Sequence, residues 1–217
     1  VCFGLSLELL GKRKLIASSC IAISGLSSHP FGSWQPKASD KTFMWIRDGL
    51  PKDIHGIRTI VYGYDTRLDD SQSFQDIPDI ARGLINQLQA YGWASPSSKS
   101  VAFLAHSLGG LVLKQALVQL ADSSNEEYGA LLNNVRGAIF FGVPNLGMVQ
   151  DSFRRIVLNN PNAKLIDDLG RNSNFIRRQD ENYRRLDANF SNAPIHKSFK
   201  SFWAYETLES PTIIVRQ

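Results

Sequence analysis

The segment Ser100–Ala121 (SVAFLAHSLGGLVLKQALVQLA) runs a short apolar stretch almost directly into an apolar helical one. Ser100–Ala105 reads as a buried strand and Leu108–Ala121 as a helix, so only His106 and Ser107 are left to make the turn. A bend that tight forces a strained backbone at Ser107, and small residues are needed two before and two after it. Gly109 meets that need fully, while Ala105 adds a single methyl. A buried strand feeding straight into a helix is half of a βαβ unit, which commits the chain to a mainly parallel sheet.

The rest of the sequence repeats this alternation. Leu15–Ser24 (LIASSCIAIS) and Arg58–Tyr64 (RTIVYGY) read as strands, and so does Gly137–Gly142 (GAIFFG). Lys41–Leu50 is expected as a short helix, with Asp40 as N-cap and Pro51 ending it. Asp65–Gln75 is polar and reads as a loop. Asp76–Tyr91 places Ile77, Ile80, Ala81, Leu84, Ile85 and Leu88 at helical spacing, predicting an amphipathic helix on the sheet. Residues 148–190 are polar, rich in Arg and Asn and weakly periodic; they are expected to form helices covering one end of the sheet. Ser198–Tyr205 alternates as a strand would, and Thr212–Val215 begins another. The 217 residues suit a single domain.

The turn at Ser107 carries chemistry as well as topology. It lifts the hydroxyl above the carboxyl ends of the strands and aims a helix N-terminus at it. It also makes the backbone N–H of Leu108 an oxyanion donor. A serine at this place also suits a plain helix N-cap. The register of strand, small residue, serine and glycine favours the nucleophile elbow. A second donor is expected from the loop after the first core strand, Ser24–Pro30, where the backbone N–H of Leu26 is the candidate.

Bulk properties exclude several other classes. The chain is 43% hydrophobic and 20% charged, ordinary for a globular protein. Its 24 Lys and Arg against 20 Asp and Glu leave a dispersed charge of +4, which does not suggest nucleic acid as a partner. Lys12-Arg13-Lys14 reads as a solvated turn. No segment reaches the ~20 apolar residues of a transmembrane span. Cys2 and Cys20 supply no disulfide framework, which suggests an intracellular, cytoplasmic setting; Cys20 reads as a buried hydrophobe. No metal-ligand spacing and no phosphate loop appears, so neither a metal nor another cofactor is implied.

Several segments together resemble one family. They are Gly25-Leu26 through Trp34, Met44–Pro51, Tyr62-Gly63-Tyr64-Asp65, His106–Gly110, and Phe140–Asn145 running on to Gly147-Met148. The chain resembles the fungal serine esterase/lipase-like domains related to the serine-active-site-containing protein and the GPI inositol-deacylase group, from about Leu15 to Pro211. The resemblance implies an α/β-hydrolase fold, with a mainly parallel central sheet and helices on both faces. It also implies an ester or lipid substrate, and a context in a multidomain fungal protein with additional domains. One departure is Ser24-Gly25, where relatives usually carry His-Gly. The donor there is a backbone N–H, so the change is expected to alter loop packing more than chemistry.

A serine hydroxyl needs a base to take its proton and a carboxylate to orient that base. In this fold the order is Ser, acid, His. Glu206, directly after the Ser198–Tyr205 strand, is the candidate acid; a solvated carboxylate in a turn with Glu209 accounts for it about equally well. Asp65 is a fallback that more readily ties down its own loop. No histidine follows Glu206. His106 adjoins the nucleophile and must leave the elbow in another direction. His55 and His196 precede strands, at the wrong end of a parallel sheet. His29 reads as a loop-packing residue rather than a substitute base. The expectation is therefore that the last strand, the catalytic histidine and a terminal helix lie beyond Gln217. Loss of a triad histidine costs on the order of 10⁶ in turnover, so the 217 residues alone should be nearly inactive. Phe31, Trp34 and residues 148–190 are candidates for an apolar cover over the site, and aromatics there serve equally as core. The reading from another class is a signalling or interaction module that keeps the fold without the base.

Overall fold

A computed structural model describes residues 7–10, 18–36, 41–192 and 199–205. Six strands form one sheet: β1 (Leu7–Leu10), β2 (Ser18–Ile23), β3 (Ile57–Tyr62), β4 (Val101–His106), β5 (Val135–Phe141) and β6 (Lys200–Ala204). Their spatial order is β1-β3-β2-β4-β5-β6. The five strands from β3 to β6 run parallel, and β1 joins antiparallel at β3. The chain moves outward from β2 to β3 and then returns across β2 to β4. That reversal opens a crevice at the carboxyl ends of β2 and β4, where ligands bind in open α/β sheets.

Strand alternation splits the core in two. Ile21, Ile23, Ile60, Tyr62, Val101, Phe103 and Ala105 face one side, under α2 (Ile77–Ala90), α3 (Leu108–Ala121), α4 (Glu126–Asn134) and α7 (Asn174–Asn192). Cys20, Ala22, Val61 and Leu104 face the other, packed against Met44 and Ile46. Burial pushes the Cys20 thiol up to about 12, so it stays protonated and serves as a small apolar filler. On this second face Ile139 and Phe202, paired in register, are exposed among the described residues.

The amphipathic helix read over Asp76–Tyr91 forms as α2 and buries the six apolar residues named for it. A capping box starts it: Asp76 accepts from the Asp79 N–H, and Asp79 accepts from that of Asp76. The helix expected at Lys41–Leu50 differs. A π-helical turn spans Trp45–Gly49, and α1 then runs Leu50–Asp53 with Pro51 inside it. Proline in a first turn lacks only an N–H that has no partner there, so Pro51 begins a helix where it was expected to end one. The start is held by Asp48, whose carboxylate accepts from the Met44 N–H at 2.7 Å; Asp40 lies outside the described residues.

Helix α4 has no counterpart in the sequence reading, although Asn125 accepting from the Glu127 N–H gives it an ordinary N-cap. The polar region after Met148 forms α5 (Asp151–Val157), α6 (Ala163–Asp168) and α7. Helix α7 is more periodic than expected, burying Ile176, Gln179, Tyr183, Leu186 and Phe190 along one stripe. Two partly polar members hid that stripe: the buried Gln179 amide donates to the Leu111 carbonyl of α3 at 2.9 Å. Thr212–Val215 and Lys12–Lys14 fall outside the described residues.

Since α2 is held chiefly by its buried stripe, Leu84→Ala should lower unfolding stability by about 2–5 kcal/mol in urea titrations. The exposed Asn86→Ala on the same helix should change it by less than about 0.5 kcal/mol.

Candidate active site

The last residue of β4, His106, is followed by Ser107 and then at once by the first residue of α3. Ser107 sits at φ 51° and ψ −124°, a conformation L-residues rarely adopt and one that stores strain. Its side chain makes no cap hydrogen bond to the helix, so the N-cap account of this serine fails. The bend is held by the sheet, through the Ser107 N–H donating to the Phe141 carbonyl at the end of β5 (2.9 Å).

Close packing explains the glycines. A Cβ on Gly109 would lie 2.5 Å from the Ser24 carbonyl oxygen and 2.7 Å from that of Ile23. No side chain fits there, so the start of α3 rests directly on the end of β2. A Cβ on Gly25 would lie 2.8 Å from the Cβ of Ser107. Ala105 is fully buried, and its methyl is accommodated within the core under α3.

Three loops at the carboxyl ends of the strands meet around Ser107. A cavity of about 150 Å³ is lined by Leu26 and Ser27 after β2, Ser107 and Leu108 at the bend, and Pro144 and Met148 after β5. Phe153 of α5 and Leu169 complete it. The structure thus brings Leu26, Ser107 and Leu108 together. As first residue of α3, Leu108 carries one of the N–H groups that a helix cannot satisfy internally.

The loop bearing Leu26 is tied from the segment after β3. The Tyr64 hydroxyl donates to the Ser24 carbonyl (2.8 Å), and burial raises its pKa so that it remains a donor. The Ser27 N–H donates to the Thr66 carbonyl (2.7 Å), and the Thr66 hydroxyl to the Ser28 carbonyl (2.8 Å). Ser24 is fully buried with its hydroxyl oxygen lacking a hydrogen-bond partner.

The candidate acids and bases separate clearly. Asp65 binds Arg67 through both carboxylate oxygens and accepts from Ser71, holding its own loop. Hydrogen bonding from Arg67 keeps its carboxyl below the ordinary range. His29 is exposed, and its Nδ1 accepts from the N–H groups of Phe31 and Gly32 (3.2 and 3.3 Å). Those contacts commit the ring to its own loop. His55 precedes β3, at the opposite end of the sheet from Ser107. Glu206, Glu209 and His196 lie outside the described residues. Phe31 and Trp34, named as a cover, instead pack on the second face with Met44 and Ile46. Of the 148–190 segment, Met148, Phe153 and Leu169 reach the cavity.

One contributor was not singled out from the sequence. Lys114, two turns along α3 from Ser107, is fully buried. Its ammonium donates to Asn145 Oδ1 (2.9 Å) beside the cavity residue Pro144, and to Asp180 Oδ1 of α7 (2.8 Å). It also lies 5.3 Å from the centre of the Tyr183 ring. Burial lowers the Lys114 pKa against the pull of Asp180. Burial acts to raise that of Asp180, but the hydrogen bond and charge of Lys114, with Arg184, carry it below its ordinary value. The only signal in the sequence was a lone lysine within an apolar helix.

A six-stranded sheet of this order, with a strained serine between its central strand and the next helix, defines an α/β-hydrolase fold. The chain belongs to the family described as "Putative serine esterase (DUF676)", which matches residues 38–173. It is similar to Protein SERAC1 of Mus musculus, with 29% identity over 150 residues covering 61% of this chain and 22% of that protein. Protein SERAC1 of Danio rerio is 26% identical over 218 residues, covering 92% of this chain and 31% of that one. The chain thus spans less than a third of the length of these curated relatives. Among solved structures, phospholipase PlaB from Legionella pneumophila in complex with thio-NAD shares the fold. It superposes with a TM-score of 0.57 at 16% identity, covering 86% of this chain and 37% of that one. Among the described residues no helix is long and apolar enough to cross a membrane.

Removing Lys114 takes one of the two basic partners of the partly buried Asp180 and leaves Arg184 as the other, so Lys114→Ala should cost about 1.5–3 kcal/mol in urea unfolding at neutral pH. Because the folded Asp180 pKa is depressed, the stability it confers is present above its unfolded pKa of about 4 and lost as pH falls through the folded value. The variant should therefore show a flatter acid limb than the parent in pH-dependent unfolding.

Proposed function

We propose that the chain is the catalytic-fold portion of a serine ester hydrolase acting on lipid or other acyl esters, with Ser107 as nucleophile. The observation that carries this reading is the strained backbone of Ser107, a residue that lines a largely apolar cavity. Ser107 Oγ attacks the ester carbonyl while a histidine takes its proton. The N–H groups of Leu108 and Leu26 hold the oxyanion. The C–O bond to the alcohol then breaks, the alcohol leaves with that proton, and water releases the acyl group from the serine. Glu206 is proposed to orient the histidine, for which neither His29 nor His55 is placed. Residues 148–190 act as a cover within one domain, and the whole protein carries additional domains. The kinship with fungal esterase-like domains and the inositol-deacylase group belongs to this same reading.

The test is reaction of the complete protein with a serine-directed fluorophosphonate. Labelling should map to Ser107 and vanish in Ser107→Ala; equal labelling of both would reject the nucleophile. A folded protein that never labels would favour a non-catalytic interaction module. Gly25→Ala, which pushes the Leu26 loop off Ser107, should slow labelling on the order of 10²-fold, the effect of losing one oxyanion donor.

A further inference from the structure

The size and lining of the cavity beside Ser107 limit what can be bound there. We infer that this site accepts esters whose acyl group is neutral, apolar and short, about six carbons or fewer. This rests on Ser107 being the nucleophile. The described walls are Leu26, Leu108, Pro144, Met148, Phe153 and Leu169, and the only polar side chains among the lining residues are the hydroxyls of Ser27 and Ser107. The volume, about 150 Å³, matches that of an apolar protein cavity that holds one benzene molecule, six carbons in all. A longer chain would have to leave the cavity for solvent or displace a wall.

Most of that wall is fixed by backbone contacts. The Met148 N–H donates to the Leu169 carbonyl at 2.8 Å, and Met148 bridges to Gly170. Gly147 lies so close beneath that a Cβ there would sit 2.4 Å from the Gly170 carbonyl oxygen. Leu169 is almost fully buried. The Phe153 ring, on the short helix α5, is the bulkiest side chain of the described wall and packs against the main core, so truncating it is the change that lengthens the cavity. Charge selects as well. Among the described residues no basic side chain lines the cavity, so a terminal carboxylate would be desolvated there without a partner from them.

The experiment measures kcat/KM of the complete protein on p-nitrophenyl esters from acetate to decanoate, with p-nitrophenyl hydrogen succinate as the anionic counterpart of butyrate. Each methylene buried up to hexanoate should raise kcat/KM about fourfold. Decanoate should fall at least about tenfold below hexanoate, and the succinate about a hundredfold below butyrate. Phe153→Ala should move the optimum to longer esters, and the milder Phe153→Leu should move it the same way by less. A flat or rising profile through decanoate, with Ser107 still labelled by fluorophosphonate, would overturn the inference alone. A folded protein inert to every ester and to the label would overturn the reading of Ser107, and this inference with it.

Discussion

The structure turns on a contact in which there is no room for a side chain. The start of α3 lies against the carbonyl groups that end β2, with Gly109 at the point of closest approach. That approach brings the strand-to-helix bend beside the loop leaving β2, so Ser107 and Leu26 share one cavity. It also depends on the strained φ of Ser107, which persists because the sheet holds it through the Phe141 carbonyl and α3 is packed by a continuous apolar core.

Polar ties then set the positions of the loops that the apolar core leaves undetermined. Tyr64 and Thr66 fasten the loop after β2, and Lys114 joins α3 to both the loop after β5 and α7. Under the proposed function these bonds matter because loop backbone carries the oxyanion donors, and a displacement of about 1 Å can cost 10²-fold in rate. A buried ion pair is a weak source of net stability. Its effect here is geometric, since the ammonium has partners on two separate elements.

What was legible in the sequence follows from local pattern. The α2 stripe and the α3 boundaries were readable because each rests on spacing within one element. Helix α4 was overlooked because its short, mostly polar sequence has two buried residues, Leu131 and Leu132, and so little periodicity. Helix α7 read as weakly periodic because Gln179 and Tyr183 occupy its buried stripe, and the Gln179 amide N–H finds its partner only on α3. Pro51 was misplaced because proline serves both to begin and to end helices, and the π-helical turn before it decides between them.

The sequence alone determined that Ser107 stands on a strand-to-helix bend within a parallel sheet, because the residues that make such a bend are neighbours in the chain. It also singled out Leu26 and Leu108, whose part depends on position after a strand. Only the tertiary structure decided that Phe31 and Trp34 belong to the opposite face, that the ring of His29 is committed to its own loop, and that Lys114 is buried between Asn145 and Asp180. Those outcomes depend on which surfaces meet after the chain has crossed the sheet and returned, and a distance between residues far apart in sequence leaves no periodic mark along it.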